Sequence, residues 1–335
     1  MKIIFNCHVP FGLAHGGLQI QIEQTKAALE KIGVTVEYLR WWDENQSGDI
    51  FHHFGRIPAH LLPMAQQKGM KVVLEDLLTA AGSRSRAKLR LQKSVLQILR
   101  YSLPSNTFAS FGWESYRRAD ACLANTSWEA HLMHYLYRAS PERVHVLPNG
   151  VEDVFLQSAP VQRGPWLVCT ATITTRKRVL ELAQAAVEAQ TPLWVVGKPY
   201  APEDPYADQF FELAKSHPTV LRYEGAIADR AELARVYRAA RGFVLFSTME
   251  TRSLASEEAA ACACPLFLSD LPWARSVFGG NACYCPIASP QRTASFLRKF
   301  YDEAPGLKPP PKPLSWVDVA KQLKGIYEVI VGANT

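Results

Sequence analysis

Short apolar runs alternate with helix-periodic stretches along almost the whole 335-residue chain. In the first half, Lys2–Cys7, 34–39, Ile50–Phe54, 71–74, Ala121–Ala124 and 145–147 read as strands, rich in β-branched and aromatic residues. Between them, 18–32 and 128–137 repeat apolar residues at helical spacing. The rhythm lapses at 157–165, QSAPVQRGP, where two prolines and a glycine predict a linker. A second series follows, with strands at 166–170, Leu193–Val196, Leu221–Tyr223, 242–246 and Leu266–Ser269. Its helices are expected at 179–189, 206–216, 231–239 and 254–262. A proline-rich stretch, 305–313, precedes a last amphipathic helix at 316–331. Strand–helix alternation of this kind predicts parallel sheets, and its interruption predicts two of them. The expected architecture is α/β, with two Rossmann-like doubly wound domains at 1–160 and 164–312 and the segment 315–335 packing back on the first. Two such domains facing each other place a deep cleft at the carboxyl ends of their sheets, suited to a ligand gripped from both sides.

Composition narrows the class. Hydrophobic residues at 48% and charged residues at 20% describe an ordinary globular protein. The amino terminus runs straight into a strand, and no run approaches the length of a membrane span, so neither a signal peptide nor a spanning helix is expected. A cytoplasmic protein follows, with peripheral attachment to the inner membrane face left open. The formal charge of +6 suits anionic phosphates or a lipid surface and is too small to indicate nucleic acid. Cys262/Cys264 and Cys283/Cys285 have C-x-C spacing. A four-thiolate zinc site is the sharper reading of these pairs. Buried reduced thiols are the better one, because structural zinc sites separate paired cysteines more widely.

The segment 246–270, FSTMETRSLASEEAAACACPLFLSD, carries the most specific chemistry. A strand ends, a loop presents Glu250, and a helix starts near Ser253 and stops before Pro265. Ser253 is placed to cap that helix, whose first amides are unpaired donors with a partial positive charge and bind phosphate without a special side chain. Glu258, more than a turn into the helix, can accept hydroxyl bonds from a ribose, and Glu250 can do the same for a sugar. Each such bond to a carboxylate is worth roughly 1.5–3 kcal/mol. The alternative is a pair of ordinary solvated glutamates.

This segment resembles the signature of family 4 of the retaining glycosyltransferases, E-x7-E running into E-A-x-A-C-G-x-P, whose members have the GT-B fold. It departs from that pattern at Ala263, where glycine is usual, and at Arg252-Ser253, where Phe-Gly is common. The resemblance implies that Glu250 contacts the donor sugar, that Glu258 contacts the ribose, and that the backbone of Arg252, Ser253 and Leu254 approaches the diphosphate. Residues 172–178, TITTRKR, resemble the family's phosphate clamp, with Lys177 at the lysine position. Thr172 replaces the family's arginine, leaving Arg176 or Arg178 to supply the second cation. Gly197 resembles the strand end beside the nucleobase, and Ile227 falls in the loop whose backbone reads it. In the first domain Gly16-Gly17 resembles the family's glycine loop, and 148–151, PNGV, its domain-boundary turn. His52-His53 stand at a strand end where the family often has histidine, and strand alternation turns one of the two toward the cleft. Where the family often has a further histidine near the reacting sugar, this chain has Glu75-Asp76, so His53 and Glu75 are the acceptor-side candidates that the resemblance implies.

The implied activity is retaining, metal-independent transfer of a sugar from a nucleotide-diphosphate sugar to a glycan, lipid-linked or small-molecule acceptor. Glu250 and Lys177 are the catalytic candidates, and no cofactor or metal is expected. Thr172 and Arg252 also admit a catalytically inactive GT-B subunit that binds nucleotide sugar or a partner enzyme. An NAD-dependent oxidoreductase fits less well, since no G-x-G-x-x-G follows the first strand. Finally, 84–100 holds six cations and no acid, with Leu91, Val95, Ile98 and Leu99 on one helical face. That suits peripheral membrane contact or a basic rim for a lipid-linked acceptor, and equally a solvated helix packed by its apolar stripe.

Overall fold

Each half of the chain builds its own six-stranded sheet, and every neighbouring pair of strands is parallel. The computed structural model describes residues 1–8, 16–158 and 161–332. The first unit comprises Met1–Gly150 and Trp316–Thr335, the second Val151–Ser315. The division thus comes at Gly150 rather than at 160. The physical reason is Phe155 in the short helix Asp153–Leu156, which is fully buried in the second unit's core with Val168, Tyr237 and Phe243.

In the first unit the strands are β1 (Lys2–Cys7), β2 (Thr35–Tyr38), β3 (Ile50–Phe54), β4 (Lys71–Glu75), β5 (Ala121–Ala124) and β6 (Val144–Val146), ordered β2-β1-β3-β4-β5-β6. In the second they are β7 (Leu167–Thr170), β8 (Leu193–Val196), β9 (Leu221–Tyr223), β10 (Gly242–Leu245), β11 (Leu266–Ser269) and β12 (Cys283–Cys285), ordered β12-β11-β10-β7-β8-β9. Read from β9, the second order is the dinucleotide-fold sequence 3-2-1-4-5-6. Strand order reverses between β7 and β10 there, and between β1 and β3 in the first unit. Ligands of open α/β sheets bind outside the carboxyl ends of the strands at such reversals. β3 and β10 are buried at every position, as interior strands covered on both faces must be, which explains their unbroken apolar or aromatic character.

Two features escape the periodic reading. Strand β12 lies within the C-x-C pair at 283–285, where its three residues are too few to show a period. The stretch 157–165 is more than a connector: Arg163 donates to the carbonyls of Arg238 (3.1 Å), Ala240 (2.8 Å) and Ala263 (2.8 Å), and Gly164 N–H to Ala239 (2.7 Å). A guanidinium there satisfies orphan carbonyls at two helix ends, an attachment that side-chain periodicity does not reveal.

No disulfide joins any of the seven cysteines. Burial pushes Cys264 up to about 12 and Cys262 and Cys285 up to about 11. Among the described residues no three His, Cys, Asp or Glu side chains gather to hold a metal ion, and no helix is long and apolar enough to cross a membrane. The last helix, Trp316–Gly332, packs on helix Gly17–Lys31, with Tyr327 fully buried. Where the chain enters and leaves the second unit, Val151 N–H donates to Leu314 (2.9 Å) and Val151 bridges Ser315.

Candidate functional site

The loops that follow β7 and β10 meet at the strand-order reversal of the second unit. The Arg176 carbonyl accepts from the Thr248 N–H (2.9 Å), the Thr248 hydroxyl (3.2 Å) and the Ser247 hydroxyl (3.3 Å). Over this backbone junction, Lys177 Nζ contacts Glu250 Oε1, and Arg176 Nη1 reaches the same oxygen at 3.1 Å and the Met249 carbonyl at 2.8 Å. Two cations share one carboxylate, leaving an excess of positive charge in a half-buried setting. Arg178 is turned elsewhere: its Nη2 donates to the Ala288 carbonyl at 2.6 Å, and its backbone is left-handed (φ 54°). Arg176, rather than Arg178, is therefore the second cation beside Lys177.

Helix Leu254–Ala261 begins where expected. Ser253 caps it, its hydroxyl accepting from Ser256 N–H at 3.3 Å, and Leu254 is half-buried in the first turn. Arg252 turns its guanidinium onto the buried Glu257 at 2.8 Å, so its charge is directed at that carboxylate. Glu258 lies one residue on. Arg230 donates to its Oε1 (2.5 Å) and to Glu152 (2.7 Å), while Tyr237 donates to its Oε2 (3.2 Å). The Tyr237 hydroxyl also meets that of Thr170 at 2.5 Å, which ties Glu258 to the carboxyl end of β7. Burial raises the Glu258 carboxyl above its ordinary range, and Arg230 opposes the shift. Beyond the helix, Cys264 N–H donates to Ala259 and Ala263 N–H to Ala260, both at 2.9 Å. This is a Schellman end with Ala263 in the left-handed position (φ 57°).

Gly197, at the end of β8, must be glycine, because a Cβ there would lie 1.9 Å from the Ala171 carbonyl oxygen. Its N–H donates to Gly225 (3.0 Å), joining the loop after β9, where Ile227 packs on the core. Lys177, Arg176, Glu250, Ser253, Glu258, Gly197 and Ile227 thus all sit on loops or helix turns following β7 to β10. Lys177 and Glu250 touch, whereas Glu258 belongs to the Arg230–Tyr237 cluster.

The first-unit candidates separate. Asn6 and His53 Nδ1 are 3.0 Å apart at the β1–β3 reversal, and the His8 ring lies edge-on to His53 at 4.6 Å. Burial, then His8 and His52, push His53 down to about 3. Glu75 instead pairs with His52 Nε2 (3.1 Å) and accepts from Gln21, and His52 Nδ1 meets the Tyr327 hydroxyl at 2.5 Å. Neither histidine has exposed surface, contrary to the alternation expected, because β3 is covered on both faces. Gly16 precedes helix Gly17–Lys31, which has no side-chain cap, and the Gly16 carbonyl accepts Ile20 N–H at 3.3 Å. The residues before this turn, 9–15, lie outside the described part.

Sequence reasoning missed Arg230, Tyr237, Glu257 and Glu152. The adjacency of Glu257 to Glu258 was a usable signal for one. Nothing local separates Arg230 from a solvated arginine in a helix's first turn.

No protein-family profile matches the chain. Over 213 residues it is 33% identical to D-inositol 3-phosphate glycosyltransferase 1 of Catenulispora acidiphila, a match covering 55% of this chain and 50% of that protein. The chain spans about half the length of the curated relative it matches. Among solved structures, sucrose-phosphate synthase from Thermosynechococcus elongatus superposes with a TM-score of 0.68 at 17% identity, over 99% of each chain. Anabaena HepE in complex with UDP superposes with a TM-score of 0.64 at 15% identity, again over 99% of each. Identities this low speak for fold alone. Two parallel six-stranded sheets, matched end to end by these structures, give the chain the GT-B glycosyltransferase fold.

Proposed function

We propose that the protein is a retaining, metal-independent glycosyltransferase that moves a sugar from a nucleotide-diphosphate donor to an acceptor. The observation that carries this reading is the convergence of Lys177 and Arg176 on Glu250, beside the Ser253-capped helix end, at the carboxyl-edge reversal of β7 and β10. A diphosphate taken out of water needs its charge offset. Two fixed cations and a helix amino terminus supply that offset without a divalent ion. Arg176 fills the role left by Thr172.

When donor binds, the ammonium of Lys177 and the guanidinium of Arg176 hold the diphosphate, and Glu250 accepts bonds from the sugar hydroxyls. Glu258, kept in place by Arg230 and Tyr237, accepts from the ribose. As the bond from the anomeric carbon to the diphosphate oxygen breaks, the developing charge falls on Lys177 and Arg176. The acceptor hydroxyl attacks from the same face and gives its proton to the leaving diphosphate, which retains configuration. The protein contributes position and field more than a base of its own. Support from relatives is the glycosyltransferase activity in the name of the Catenulispora protein and the UDP held by HepE. The acceptor is a glycan or a lipid-linked intermediate. Trp41 and Trp42, 77% and 85% exposed after β2, offer flat apolar faces of the kind a sugar ring covers.

The test is a thermal-shift screen of nucleotide sugars, followed by turnover of the best donor with wild type and Glu250→Gln. Turnover that survives EDTA, depends on Glu250 and yields a product with the donor's anomeric configuration is expected. Binding without turnover would assign the chain to the inactive-subunit class, and activity lost to EDTA and restored by manganese would overturn the metal-independent mechanism.

A further inference from the structure

The helix Arg86–Ser102 presents two apolar faces. Leu89 and Leu96 are buried and fasten it to the first unit. Leu91, Val95 and Ile98, spaced i, i+4, i+7 on the opposite side, are 66%, 44% and 62% exposed, and Tyr101 beyond them is 81% exposed. Leu99, grouped with that stripe by sequence, is half-buried beside it. The stripe that packs and the stripe that faces outward are therefore different sets of residues.

The charge around the outward stripe is equally one-sided. No acid occurs between Asp76 and Glu114, while 84–100 carries six cations. Those six equal the whole formal excess of +6, so the remainder of the chain is neutral. Lys93 sits over the Tyr135 ring (4.0 Å), and Arg100 pairs with Glu114 (2.5 Å). Arg86, Lys88 and Arg90 are exposed and make no ion pair among the described residues.

We propose that this helix is a docking surface for a bilayer that contains anionic lipids. Leu91, Val95 and Ile98 enter the boundary between headgroups and acyl chains. Arg86, Lys88 and Arg90 keep their charges among the phosphates while their stems lie along the apolar layer. Nucleic acid would use the cations and leave the aliphatic stripe in water, so a lipid surface accounts for both features together. The inference does not depend on the donor-site reading, since it concerns a separate surface of the first unit.

Co-sedimentation of the full chain with vesicles of phosphatidylcholine, with and without about one third phosphatidylglycerol, tests it. Wild type is expected to pellet with the anionic vesicles only, and less so as salt rises. Each cation near an anionic surface contributes about 1 kcal/mol, so the triple variant Arg86→Gln/Lys88→Gln/Arg90→Gln should bind roughly a hundredfold more weakly. Leu91→Ser/Ile98→Ser should lose at least about tenfold, since it removes the inserted area. All five changed side chains are exposed, and unchanged melting curves would show both variants folded. Wild type remaining in the supernatant, equal pelleting with neutral vesicles, or full binding by either variant would overturn the proposal. Self-association through the stripe without vesicle binding would assign it to a protein partner instead.

Discussion

Lys177 and Glu250, 73 positions apart, touch through side chains carried by the loops after β7 and β10, the two strands that flank the reversal of strand order. Neither residue is exposed enough for the pair to be a solvated surface bridge, whose worth would be slight.

The pairing predicts an opposed response to substitution. On the proposed function, Lys177→Gln and Arg176→Gln each remove one charge-assisted contact to a diphosphate, worth about 1.5–3 kcal/mol, and should weaken nucleoside-diphosphate binding about ten- to a hundredfold by calorimetry. Glu250→Gln releases both cations from their carboxylate. It should leave nucleoside-diphosphate affinity equal or tighter while turnover of the sugar donor falls. A Lys177 variant with wild-type affinity would contradict the assignment.

Glu258 depends on Arg230. Removing the guanidinium leaves a buried carboxylate with only Tyr237 and isolates Glu152 as well. Arg230→Ala is expected to cost about 2–4 kcal/mol in chemical denaturation. Adding Glu258→Gln to it should recover part of that loss, because the uncompensated charge disappears. Simple additivity of the two changes would show that the pair is not coupled.

Ala263 occupies a left-handed helix-end position with a Cβ that this backbone disfavours. Ala263→Gly should raise stability by about 0.5–1 kcal/mol, the relief of the left-handed strain less the greater freedom of glycine in the unfolded chain. A lowered melting temperature would mean that the alanine methyl packs in a way that outweighs the strain.

His53 gives a pH dependence of definite sign. Its folded-state value, about 3, lies below the ordinary 6.5, so the unfolded chain binds the proton more readily. The stability tied to neutral His53 is complete above pH 6.5 and is lost as pH falls from 6.5 toward 3. At pH 4.5 the ceiling on this loss is about 2–3 kcal/mol. His53→Gln should flatten the acid side of the stability profile by up to that amount in urea titrations. An unaltered profile would show that other groups dominate acid unfolding.

The sheets were readable because interior parallel strands carry apolar or aromatic residues at every position and their helices keep a steady period, as in β3, β10 and helix Val179–Glu188. Helix Leu254–Ala261 was readable down to its Ser253 cap, since capping is a local matter. Partners chosen by the fold were not. Arg230 meets Glu258 across 28 positions, Arg163 reaches Ala263 across 100, and His52 meets Tyr327 across 275. Each is a polar side chain whose neighbours are decided only when strand order is. The same limit explains the histidine pair at 52–53: alternation distinguishes two faces but does not tell whether both are covered.

The bridge between Val151 and Ser315 places the entry and exit of the second unit side by side. A body whose two ends are neighbours has the connectivity of a cassette, so 151–315 can be exchanged or relinked at a single seam. On the proposed function, grafting that one contiguous stretch between chains of this kind carries donor preference with it.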